Sequence, residues 1–104
     1  MQVVPLQPLP NQTLNVELNN QACTLNIYQK STGLFMDVLV NGVGVIYGVL
    51  AENLNRIVRS LYLGFQGDFV FADTQGTSDP NYSGLGNQFI LIYLSPSDLS
   101  ANVG

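Results

Sequence analysis

Leu34-Phe35-Met36-Asp37-Val38-Leu39-Val40-Asn41-Gly42-Val43-Gly44-Val45-Ile46-Tyr47-Gly48-Val49-Leu50 is the stretch from which the fold is read. Asn-Gly between two apolar runs is the dipeptide of a type I′ turn, because both central positions need a positive φ. A two-residue closure there pairs Val40 with Val43, Val38 with Val45, Met36 with Tyr47 and Leu34 with Val49. One face of the hairpin is then wholly apolar. The other carries Phe35, Asp37, Leu39, Gly44, Ile46 and Gly48, so another segment of the chain or a partner should cover it.

A second hairpin precedes this one. Leu14, Val16 and Leu18 alternate with Thr13, Asn15 and Glu17, the period of a strand. Asn19-Asn20 follows, and both residues tolerate positive φ. Closing that turn pairs Leu18 with Gln21, Val16 with Cys23 and Leu14 with Leu25. Every apolar residue, Ile27 included, then falls on one face. Lys30-Ser31-Thr32-Gly33 joins the hairpins into a four-strand meander from about residue 12 to 49.

Outward from the meander the signals thin. Residues 1–11 hold prolines at 5, 8 and 10, which forbid a helix and predict an extended arm or edge strand. In 51–60 the alternation breaks and Leu54, Ile57 and Val58 take helical spacing. The segment is too short to stand alone, so a helical turn or irregular crossover is expected. Strand character resumes at Leu61-Tyr62-Leu63-Gly64-Phe65 and again from Asp68 to Ala72. A polar loop runs from Asp73 to Asn87. Phe89-Ile90-Leu91-Ile92-Tyr93-Leu94 reads as a central strand buried on both faces. The stretch 96–104 reads as a loose tail. The expected fold is all-β: a small antiparallel sandwich or barrel built from hairpins, with one domain over 12–95.

At 104 residues the chain is one domain, able to bury about two-thirds of its unfolded surface. Charged residues make up 10%, against roughly 25% in an ordinary domain. Eleven Asn and eight Gln fill much of the gap. An amide-rich surface suits a protein held against others, since an amide desolvates more cheaply than an ion. Seven acids against three bases give a net charge of −4, which argues against nucleic acid. Met1-Gln2-Val3-Val4-Pro5 has no basic region before an apolar one, so no signal peptide is expected. No apolar run reaches membrane-spanning length, and no membrane insertion is expected.

Chemistry finds little to work with. Without His, the Ser-His-Asp and Cys-His arrangements are impossible. The lone Cys23 falls on an apolar face and reads as a small buried hydrophobe with a raised pKa. Asp68 with Asp73, or Asp73 with Asp79, are carboxylate pairs that a glycosidase-type mechanism would need at a set separation. Turn capping is the plainer role for each. The loop Asp73 to Asp79 scatters oxygen atoms around Gly76 but lacks the spacing and final Glu of an EF-hand. No cofactor and no metal site is expected.

Contact residues are the better candidates. Arg56 and Arg59, with Tyr62, form one cluster, because a planar donor fork suits an interface. Tyr82 and Leu85, flanked by glycines, form a second, whose plainer reading is a loop folded back over the barrel. Val3, Val4, Leu6 and Leu9 make the arm an apolar strip for its own sheet or a neighbour's. A small ligand- or carbohydrate-binding β-module is the alternative, resting on Tyr82 and Tyr62 as exposed aromatics.

Pro5-Leu6-Gln7-Pro8-Leu9-Pro10-Asn11-Gln12, then Asn55-Arg56-Ile57-Val58-Arg59, then Asp73-Thr74-Gln75-Gly76 follow one another in an order that carries a resemblance. Over nearly its full length the chain resembles the small baseplate plug proteins of contractile-tailed phages and prophages. The motifs are short, and their order is what is specific. The resemblance implies a compact β-barrel-like virion subunit in the tail baseplate, made in the host cytoplasm and without enzymatic activity. It further implies several copies near the hub and central channel, with the arm and the Arg56/Arg59 segment docked on hub or tail-tube proteins. An open sheet edge, a liability in a monomer, would accept a neighbour's strand there.

Overall fold

The computed structural model describes residues 2–59 and 65–101. Its strands are β1 (Gln2–Val4), β2 (Asn11–Leu18), β3 (Gln21–Lys30), β4 (Gly33–Val40), β5 (Val43–Leu50), β6 (Asp68–Asp73) and β7 (Phe89–Leu94), followed by the helix α1 (Pro96–Ala101). They form two antiparallel sheets, β2-β3-β4-β5 and β1-β7-β6, packed as a small sandwich. The all-β reading holds.

The first hairpin folds in the expected register: Leu18 faces Gln21, Val16 faces Cys23 and Leu14 faces Leu25. Asn19 and Asn20 both adopt positive φ, as a two-residue turn with this twist requires. Cys23, Leu25 and Ile27 are buried on the inner face, with Leu34, Met36 and Val38 of β4 beside them. The second sheet answers with Val4, Phe69, Phe71, Phe89, Leu91 and Tyr93. Rings of Phe65, Phe69 and Tyr93 pack within about 6 Å of one another at one end of this core.

The second hairpin departs from a straight ladder. Val40 faces Val43, but Val38 faces Ile46 and Met36 faces Val49, because β5 carries two single-residue bulges. Ile46 is thereby turned onto the core, and Tyr47, expected inside, stands 66% exposed. The Asp37 carboxylate holds the distortion by accepting from the Gly48 backbone N–H at 2.7 Å and the Tyr28 hydroxyl at 2.9 Å. Gly48 sits at φ +65°, where a Cβ would be strained. Burial, with Asp37 as acceptor, raises the Tyr28 pKa. On the same outer face Tyr28 stacks on Phe35, and Lys30 lies over both rings.

The arm takes one of the roles expected of it, an edge strand on the chain's own sheet: β1 pairs with β7 from Gln2↔Tyr93 to Val4↔Leu91, which buries Val4 and, farther along, Leu6. Two further expectations are corrected. Strand β7 is central to its sheet but fully buried on one face only. Phe89, Leu91 and Tyr93 are covered while Ile90, Ile92 and Leu94 remain partly exposed. The stretch expected as a loose tail begins with the helix α1, where the Asp98 carboxylate accepts from the Ser95 N–H and Ser95 Oγ accepts from the Asp98 N–H. That is a capping box with Pro96 in the first helical position. The expected strand over 61–65 falls almost wholly outside the described residues.

Candidate interaction surface

The crossover between the sheets brings together two of the predicted contact residues, Arg56 and Arg59. From Ala51 to Arg59 it is irregular rather than helical. It runs beside β6: the Leu54 N–H donates to the Phe71 carbonyl at 2.8 Å, and the Ile57 N–H donates to the Phe69 carbonyl at 3.0 Å. The apolar residues of helical spacing serve a different purpose. Ile57 and Val58 plug into the core, while Leu54 turns outward and is 63% exposed.

Asp68 fixes this path. Its buried carboxylate accepts the backbone N–H groups of Ile57, Val58, Arg59 and Phe69, at 3.1, 2.7, 2.9 and 2.7 Å. Four amide donors satisfy the charge that burial would otherwise penalise. The Arg56 guanidinium adds a contact, its Nε 3.6 Å from Asp68 Oδ2. Leu54 and Arg59 hold φ of +62° and +66°, conformations that L residues adopt only when their surroundings impose them. The loop is therefore built rather than slack.

What it presents outward is a shallow concavity of about 530 Å³ lined by Glu52, Leu54, Asn55, Arg56 and Arg59. Arg59 folds back so that its Nε donates to the Arg56 carbonyl. Asn55 donates to Glu52 Oε1 at 3.2 Å. One exposed leucine beside two guanidinium groups is the composition of a protein contact, with an apolar anchor and planar donors. Sequence reasoning selects the arginines and misses Leu54, whose helical spacing with Ile57 and Val58 points to burial, whereas the irregular path of the crossover turns it outward. Tyr62 lies outside the described residues.

The other candidates are distributed differently. Of the arm residues, Val4 and Leu6 are spent on the chain's own core, while Val3 and Leu9 remain exposed. Mutual hydrogen bonds between Gln7 and Gln12 hold the arm down. In the polar loop, Leu85 is 1% exposed and Tyr82 packs against the core. The Tyr82 N–H donates to Gln29 Oε1 at 3.1 Å, so this loop closes over the sandwich instead of offering its apolar residues. Exposed apolar side chains also occur at Val43 and Tyr47 on β5, which the ideal register had concealed.

The acidic residues act as caps. Asp73 accepts the N–H groups of Gln75 and Ser78, both at 2.8 Å, and these bonds, that to Gln75 foremost, lower its pKa. Asp79 accepts the Asn53 N–H at 2.9 Å, which ties the loop to the crossover. Among the described residues no group of three His, Cys, Asp or Glu could hold a metal ion. None of the described helices is long and apolar enough to cross a membrane. Burial raises the pKa of the Cys23 thiol, which lies against the Gln21 carbonyl.

Set beside known proteins, residues 1–96 match the model of a family described as "Cyanophage baseplate Pam3 plug gp18". No curated protein matches the chain.

Proposed function

The chain belongs to the cyanophage baseplate plug family, and from that premise we propose that it is a plug subunit seated near the hub and central channel of a contractile tail. Membership makes it a structural component of the phage virion's tail baseplate, with other baseplate proteins as its neighbours. The rest is our reading. Several copies, made in the host cytoplasm, attach through protein–protein contacts to hub or tail-tube proteins and narrow the channel until contraction. The work is geometric and needs no catalysis.

The observation that carries the reading is the crossover locked by Asp68. A loop whose backbone is pinned by three hydrogen bonds to one buried carboxylate loses little entropy on docking. Leu54, Arg56 and Arg59 supply its contact chemistry, and the exposed Val3 and Leu9 of the arm add apolar contact residues elsewhere.

The test is incorporation. Phage particles assembled with an Arg56→Ala/Arg59→Ala chain should contain at least tenfold less of it than wild-type particles, while the purified variant keeps the wild-type melting temperature. That loss corresponds to about 1.4 kcal/mol or more of contact energy. Unchanged incorporation would remove the crossover from the attachment surface.

A further inference from the structure

A sandwich has four sheet edges, and among the described residues three of those in this molecule are managed. Strand β1 is only three residues long. The outer side of β6 is taken by the crossover, through Leu54 and Ile57. Strand β5 is blunted by two bulges and by Gly44 and Gly48. The fourth edge, β2, is eight residues long and pairs with β3 without a single register shift. It contains no proline and no lysine, the usual devices against edge-to-edge pairing.

The unused groups are identifiable. Pro10 accepts from the Gln29 N–H, so the even-numbered residues exchange hydrogen bonds with β3. By the alternation of an antiparallel ladder, Asn11, Thr13, Asn15 and Glu17 then point their N–H and C=O groups outward. On the inner face Leu14 and Val16 are only partly covered, because the facing sheet has three strands against four.

We propose that β2 pairs antiparallel with β2 of a second copy across a two-fold axis at Leu14, extending the four-stranded sheet to eight strands. This register pairs every residue from 11 to 17. It sets Leu14 against Leu14, Gln12 against Val16, and Thr13 against Asn15 twice over. Thr–Asn is the pair the strand already makes with β3: Thr24 donates to Asn15, and Thr13 to Asn26, both at 2.8 Å. Charge selects the same arrangement. Glu17, the strand's one charge, meets Asn11, whereas a shift that sets Glu17 against Glu17 opposes like charges. A C₂ contact is isologous, and β2 meets that requirement by complementing itself. The proposal concerns the isolated protein and does not depend on the baseplate reading.

The experiment uses the full chain in solution. Light scattering after gel filtration should return twice the 11.3 kDa chain mass. Asn15→Pro removes an outward donor at a position where an edge strand admits proline, and should return the single-chain mass with the circular dichroism of a β-protein. Tyr47→Lys, on the other edge, should leave the dimer intact. Should Asn15→Pro fail to fold, a cysteine scan decides. Leu14→Cys should cross-link between copies under mild oxidation, and Val16→Cys should not, because only the former meets its own copy within disulfide reach. A monomeric wild type, an intact Asn15→Pro dimer, or cross-linking at residue 16 and not at 14 would overturn the proposal. So would a monomer that loses baseplate incorporation on Asn15→Pro, which would assign the edge to a different protein's strand.

Discussion

Asp68 is the residue on which the proposed contact surface depends. It opens β6, yet its carboxylate organises a loop nine to eleven positions earlier, by accepting three of that loop's amide groups and its own neighbour's. Asp68→Ala leaves those donors buried and unpaired, which should lower stability by roughly 3 kcal/mol, read by urea denaturation. A change below about 0.5 kcal/mol would mean that the crossover is held by Ile57 and Val58 alone. Gln21 is the counterpart at the other end. Its buried amide donates to the Leu18 and Gln66 carbonyls and accepts from the Gln66 N–H, which fastens residues 65–67 to the first hairpin's turn. Neither role was visible in the sequence. A polar side chain's partners are set by which loops the tertiary fold brings near it, and both residues pair with segments 9 to 45 positions away.

Elements were legible wherever local chemistry settled them. Asn19-Asn20 and the alternation around it determine turn and register together, and the structure agrees residue for residue from Leu14 to Leu25. Asn41-Gly42 signals its turn but not the ladder beyond, since β5 bulges twice and one of those bulges is held by Asp37 accepting from the Gly48 N–H, a contact between strands. The helix α1 has a local signal in Ser95-Pro96-Ser97-Asp98, a capping-box spacing with proline in the favoured position, which the polarity of the tail masks. The proline-rich arm signalled an extended strand, and only the tertiary structure tells that Val4 and Leu6 enter the core. Deleting residues 1–10 should accordingly cost about 3–5 kcal/mol and lower the melting temperature, rather than yield an intact domain without its arm. A truncated chain as stable as the full one would return the arm to the role of a free docking strip.

At the scale of the whole molecule, composition and architecture agree. The four-stranded sheet turns an amide and hydroxyl ladder outward through Thr13, Asn15, Thr24 and Asn26, where an ordinary domain would carry Lys and Glu. Two of the chain's three cations stand together on the crossover, and among the described residues one long sheet edge is left without a partner strand. These are the features of a subunit that is finished by its neighbours, which accords with membership of a baseplate plug family. Quantitative mass spectrometry of purified phage particles, before and after stripping of loosely bound protein, tests that account most directly. The chain should remain at a small fixed number of copies per particle through stripping. Its presence in the lysate and absence from the particles would contradict a structural place in the baseplate.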